Sequence, residues 1–116
     1  TTVYSPFLTT VLNYGYIVQF SFKYTDLHRT KLNSIKGWKN MNNYLNSQSL
    51  LTEFLSFVAS KGVKAQPSDL RKSGKVIENH LKSYITRNVM GDEGFFPLFF
   101  TTDPTVMKAL QIIDKK

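Results

Sequence analysis

From Leu70 to Met90 the residues of one stripe return every third or fourth position. They are Leu70, Ser73, Gly74, Ile77, Leu81, Tyr84, Ile85, Asn88 and Val89. Arg71, Lys72, Lys75, Glu78, Lys82 and Arg87 occupy the other face. This period predicts one amphipathic helix over 68–90. Gln66-Pro67-Ser68-Asp69 supplies its start: Ser68 as the expected cap, and Asp69 as a charge matching the positive helix end. Gly91 supplies the stop, because glycine takes the left-handed conformation cheaply. Such a helix is about 30 Å long, the width of a small domain. It cannot hide its own stripe, so the rest of the chain must cover it.

The covering elements are legible in turn. Ser5-Pro6 places a cap and a first-turn proline before Phe7, Leu8, Val11 and Leu12, and Gly15 closes that helix. A second helix is expected from Tyr16 to Lys31, with Ile17, Phe20, Tyr24, Leu27 and Leu32 as its stripe. Ile17, Val18, Phe20, Phe22 and Tyr24 also partly alternate, as a strand would. The helix reading rests on the pattern's continuation through Leu27 with charges opposite. Asn33 to Lys36 reads as a polar connection. Trp38, Met41, Tyr44 and Leu45 mark a short helix weakened by Gly37, Asn40, Asn42 and Asn43. The next helix is capped by Ser47 and runs to Lys61 before Gly62. Leu50, Leu51, Phe54, Leu55 and Val58 are its buried stripe, and Phe57 lies off it, facing a second contact.

After the long helix, Gly91-Asp92-Glu93-Gly94 reads as a turn into a short helix through Phe95, Phe96, Leu98, Phe99 and Phe100. Pro97 is expected within its first turn, where a missing N–H costs nothing. Asp103-Pro104 starts a terminal helix through Val106, Met107, Leu110 and Ile113. The expected fold class is all-α: a compact array of six or seven helices around the central one, in one domain over 1–116.

Composition narrows the function classes. There is no cysteine, which excludes disulfides and thiolate metal sites. The net charge of +7 could attract an acidic partner or nucleic acid, but no run of four Lys/Arg occurs. The cations therefore read as solvated surface, and no nucleic-acid partner is expected. Their excess lies in the first half, where Lys23, Arg29, Lys31, Lys36, Lys39, Lys61 and Lys64 face only Asp26 and Glu53. No apolar run approaches the length of a membrane span. The chain opens on Thr1-Thr2 rather than Met, which reads as a processed product or a cut fragment.

No catalytic set is visible. His28 and His80 belong to no metal-spaced pair and read as neutral surface histidines. Asp92 and Glu93 suit a helix start rather than acid–base work. Gly91-x-x-Gly94 lacks the lysine of a phosphate loop, and no serine sits in a nucleophile elbow or a Ser-x-x-Lys box. No catalytic residue, cofactor or metal is expected. The dense segment Phe95 to Phe100 has two readings: a plug closing the bundle, or an exposed patch docking on another domain. Phe95, Phe96, Phe99, Phe100 and Trp38 are the candidate protein-contact residues, and the basic first half is a second candidate surface.

Four stretches carry a resemblance: Phe54–Lys64 (FLSFVASKGVK), Ile77–Gly91 (IENHLKSYITRNVMG), Gly94–Leu98 (GFFPL) and Asp103–Leu110 (DPTVMKAL). They resemble the C-terminal helical region of bacterial carboxyl-terminal processing peptidases, the tail-specific serine proteases, especially those of Bacteroidetes type. Thr1 to Pro6 resembles the exit from the catalytic domain. Tyr24-Thr25-Asp26-Leu27-His28-Arg29 resembles a Tyr-x-Asp-x-His-Arg stretch on the second helix. The resemblance implies an exported parent, in the periplasm or cell envelope, with a serine nucleophile and lysine base in an upstream domain. No position here matches those residues. It implies a non-catalytic accessory domain whose candidate partners are its own catalytic domain, a second copy of the chain, and polypeptide substrate through the parent. The alternative is a stand-alone helical module that binds a peptide or protein in a groove lined by Tyr and Phe.

Overall fold

The structure is a computed structural model and describes residues 5–102. The helices are α1 (Pro6–Asn13), α2 (Tyr16–Leu27), α3 (Arg29–Asn33), α4 (Trp38–Asn46), α5 (Leu50–Ala59), α6 (Pro67–Met90) and α7 (Asp92–Thr102), and no strand occurs among the described residues. The all-α array around one long helix is as expected. The opening residues before Ser5 and the helix expected after Asp103 lie outside the described residues.

α6 packs against every other helix. Its burial is therefore broader than one stripe. Ile77, Leu81 and Ile85 are fully buried, and so are Ser73, Ser83 and Thr86. Val76 and Asn79 are buried too, while Tyr84 and Val89 are half-buried and Asn88 is exposed. The apolar core continues through Phe7, Leu8 and Val11 of α1, Ile17, Phe20 and Tyr24 of α2, Leu32 of α3, Met41 and Leu45 of α4, and Leu50, Phe54 and Val58 of α5. Burying a side chain of this size contributes about 1.5–3 kcal/mol, so this set dominates stability.

Several local starts and stops differ from expectation. Ser5 does cap α1, accepting from the Leu8 N–H at 3.2 Å, and its hydroxyl also takes the Ser73 hydroxyl hydrogen bond at 2.8 Å. Leu12 is exposed rather than buried. The cap of α6 is Gln66, not Ser68: the Asp69 carboxylate accepts from the Gln66 N–H at 2.9 Å. α5 follows Ser49, whereas Ser47 closes α4 by donating to the Tyr44 carbonyl at 2.6 Å. α5 also stops at Ala59 rather than Lys61.

The second helix is two. It bends at His28 (φ −117°, ψ 22°), and Asn33 is the last residue of α3 rather than part of the connection. The Thr25 hydroxyl donates back to the Ser21 carbonyl at 2.7 Å, a bond that bends helices. The bend turns Leu32 into the core and leaves Leu27 71% exposed, so Leu27 is not part of the buried stripe.

α6 and α7 form a tight antiparallel pair. Gly91 (φ 71°) makes the reversal, and α7 begins at once, so Gly94 lies inside the helix rather than in a turn. A Cβ at Gly94 would stand 2.8 Å from Thr86 Cγ2 and 2.9 Å from Met90 Cβ. No hydrogen is large enough to matter there, but a methyl is. Pro97 lies beyond the first turn, counted from Asp92. It removes the hydrogen bond to the Glu93 carbonyl, and because Glu93 is exposed, water can replace it.

Gly94→Ala should therefore lower stability by roughly 1–3 kcal/mol, the usual cost of overpacking. Urea unfolding followed by circular dichroism reads this, and an unchanged midpoint would show that α7 does not press on Thr86 and Met90.

Candidate interaction surfaces

α7 divides its aromatic residues between two faces. Phe95 and Leu98 turn inward and are 8% and 0% exposed. Phe95 stands 5.4 Å from the Tyr84 ring, and the Arg87 guanidinium lies 5.2 Å over it. Phe99 is half-buried and meets His80 edge-on at 5.3 Å. Phe96 and Phe100 point outward, 46% and 39% exposed, and stack on one another at 5.7 Å and 14°. Plug and patch are thus two faces of one helix. Phe95 belongs to the plug, which corrects its place among the contact residues.

Trp38 sits at the start of α4, half-buried, with the Lys39 ammonium 5.7 Å over its ring. α4 packs on α7, but among the described residues Trp38 makes no ring contact with the phenylalanines. The exposed patch is therefore Phe96 and Phe100 with Phe99 at its edge, flanked by Asp92 and Glu93. Asp92 pairs with Arg87 at 3.1 Å.

A second feature lies between α2 and α5. Phe20 meets Phe54 at 5.6 Å and Phe57 at 5.7 Å, both edge-on, and Tyr16 meets Phe57 at 6.2 Å. Phe57 is the second contact expected for its off-stripe position. Above these rings runs a hollow of about 320 Å³ bordered by Phe20, Lys23, Tyr24, Leu27, Glu53 and Phe57, among others. It meets a shallower hollow of about 540 Å³ at the α2–α3 bend, which shares Leu27 and His28. The outer face of α2 also exposes Val18 and Phe22, which periodicity counted only as a strand-like alternation. An apolar count exceeding one stripe was the signal available for them.

Among the described residues two ionisable groups are perturbed. Burial, then the neighbouring Tyr44 and Glu53, push the Tyr24 phenol up to about 12. Burial lowers Lys82, against the nearby Glu78, and its ammonium donates to Asn46 Oδ1 at 2.8 Å. His28 is exposed and stacks on Tyr24 at 4.3 Å. His80 is half-buried, its Nδ1 2.8 Å from the Val76 carbonyl, so it is not a surface histidine. Among the described residues no three His, Cys, Asp or Glu gather as a metal site, and no helix is long and apolar enough to cross a membrane.

Residues 7–91 match the model of a family of unknown function, DUF8443. The chain belongs to that family. The DUF8443 match begins inside α1 and ends just past α6, so α7 and its aromatic face lie outside it. No curated protein and no solved structure matches the chain.

Phe96→Ser with Phe100→Ser should change folding stability by no more than about 0.5 kcal/mol, as exposed sites do. Leu98→Ala should cost about 2–5 kcal/mol. Equal costs in chemical denaturation would mean that α7 is not two-faced. Tyr24 gives a pH signature. Its folded value is raised, so its contribution is complete below the unfolded value of 10.0 and is lost as pH rises toward about 12. Lys82 has the opposite sign and is common to both proteins in the comparison. Wild type should therefore lose more stability than Tyr24→Phe between those pH values in urea titrations.

Proposed function

We propose that this chain is a non-catalytic helical module that works by contact, docking on a neighbouring domain through the outer face of α7. The observation that carries this reading is the stacked, exposed Phe96–Phe100 pair beside half-buried Phe99. Adjacent aromatic rings left in water on a helix whose other face is sealed form an anchor for a partner surface.

The resemblance in FLSFVASKGVK, IENHLKSYITRNVMG, GFFPL and DPTVMKAL supplies the neighbour. In this reading it is the catalytic domain of an exported carboxyl-terminal processing serine peptidase, in the periplasm or cell envelope. The module braces that domain, mediates its assembly or shapes substrate access.

Two measurements test this. The isolated chain should leave an unfolded polypeptide intact, and serine-inhibitor-sensitive cleavage by it would end the reading. The coding sequence upstream of Thr1 should hold a serine and a lysine of a peptidase domain. In that parent, Phe96→Ser with Phe100→Ser should separate one calorimetric unfolding transition into two. A parent without such a domain, or one that unfolds as before, would remove the proposed docking.

A further inference from the structure

The hollow between α2 and α5 contains a polar group that packing leaves unserved. Tyr24 is 3% exposed and borders that hollow. Its ring meets Phe20 and His28, yet among the described residues its hydroxyl has no hydrogen-bond partner. A hydroxyl drawn out of water and left without a partner costs free energy. Burial, then Tyr44 and Glu53, keep this phenol protonated, so it remains both a donor and an acceptor.

Two charges of opposite sign border the same hollow, Lys23 from α2 and Glu53 from α5. Both are exposed, and they do not pair: among the described residues the ion pairs are Arg29–Asp26 and Arg87–Asp92. The Lys23 ammonium sits 5.9 Å from the centre of Phe57 instead, while Glu53 is near enough to Tyr24 to help raise its phenol. The rest of the lining is largely apolar. Phe20 and Phe57 meet edge-on, and Leu27 stands beside them 71% exposed. The hollow measures about 320 Å³, at the lower end of the range that small ligands occupy.

We propose that the α2–α5 hollow binds a small zwitterion with an apolar side chain, of the class of free phenylalanine or leucine. Glu53 and the Tyr24 hydroxyl accept from its ammonium, Lys23 donates to its carboxylate, and its side chain lies on Phe57 and Leu27. An occupant of one sign would satisfy one border charge and be repelled by the other, so the two together select a molecule that carries both. The site shares no residue with the outer face of α7. It goes beyond the docking proposed above and does not depend on it.

Titration of the isotope-labelled chain with phenylalanine, followed by NMR, tests this. The amides of Tyr24, Leu27 and Phe57 should shift and saturate. N-acetylphenylalanine lacks the ammonium and phenylalanine amide lacks the carboxylate, and each should bind roughly tenfold more weakly, the loss of one charged hydrogen bond. Lys23→Gln should weaken phenylalanine by the same factor and leave phenylalanine amide unchanged. Glu53→Gln should weaken phenylalanine likewise and leave N-acetylphenylalanine unchanged. Tyr24→Phe should weaken phenylalanine by roughly fivefold, as loss of one hydrogen bond does. Lys23 and Glu53 are exposed and Tyr24→Phe keeps the buried ring, and circular dichroism checks that each variant is folded. Phe96→Ser with Phe100→Ser should bind phenylalanine as wild type does, which separates failure of this site from failure of the α7 surface. The proposal is overturned by the absence of a saturable shift up to the solubility limit of phenylalanine. Equal binding of N-acetylphenylalanine amide, which carries neither charge, overturns it too, as do shifts centred away from the hollow.

Discussion

Close approach to α6 is the constraint on which the rest of the structure depends. A helix touched by all the others cannot present bulky side chains all the way round. The chain answers with small residues at the crossings. Gly74 lies opposite Leu51, Ser73 meets Ser5, and Gly94 fits against Thr86 and Met90. The Asn88 amide reaches the Thr25 hydroxyl of α2 at 3.1 Å. Two of these contacts are polar, Ser73–Ser5 buried and Asn88–Thr25 partly buried, so each must be made in register or left unmade at a cost of about 1–3 kcal/mol. The hydroxyls of Ser21 and Ser83 are already buried without a partner among the described residues, which shows how much the packing accepts to keep side chains small there. A seam of this kind holds the helices in one alignment more strictly than leucines alone would.

That rigidity determines what remains at the surface. Because Gly94 draws α7 close, Phe95 and Leu98 must insert and Phe96 and Phe100 must point away. The helix has four phenylalanines and one leucine in six positions, and one face holds only some of them. α2 meets the same limit. Ile17, Phe20 and Tyr24 fill the interior, and Val18, Phe22 and Leu27 are left outside. Exposed apolar groups on both helices are the remainder of a composition richer in apolar residues than its core can take up. Leu12 and Tyr14 are exposed as well, and adjacency, as in the stacked Phe96 and Phe100, is what distinguishes an interaction surface from ordinary apolar exposure.

Much of this was legible in the residues and part was not. The central helix was, because its period of 3.6 runs unbroken to Gly91, and α1 was, because Ser5-Pro6 fixes both cap and first turn. The bend at His28 was not. No glycine or proline marks it; the Thr25 hydroxyl bonded to the Ser21 carbonyl just before it is the local competitor with the backbone. The start of α5 was misplaced because Ser47 and Ser49 are equally good caps, and only the closure of α4 onto Tyr44 separates them. For α7 the rule that proline belongs in a first turn gave way, since an exposed carbonyl at Glu93 needs no helix partner. Among the surface residues, the aromatic segment stood out by density, but its division between two faces depends on where Gly94 meets α6. The hollow between α2 and α5 could not be read at all, because Lys23 and Leu27 of α2 and Glu53 and Phe57 of α5 border it together only in the fold.

The placement of charge also bears on what holds the fold together. Arg29 and Asp26 form an ion pair with side chains 45% and 53% exposed, and Arg87 with Asp92 is similarly open. Such pairs contribute little to folding, typically below about 1 kcal/mol. Lys23 and Lys61, each near the Phe57 ring, contribute a similar amount, since a cation over an aromatic ring at an exposed site gains about 0.5–1 kcal/mol. An interior that relies on burial and small-residue fit does not depend on these surface charges to fold.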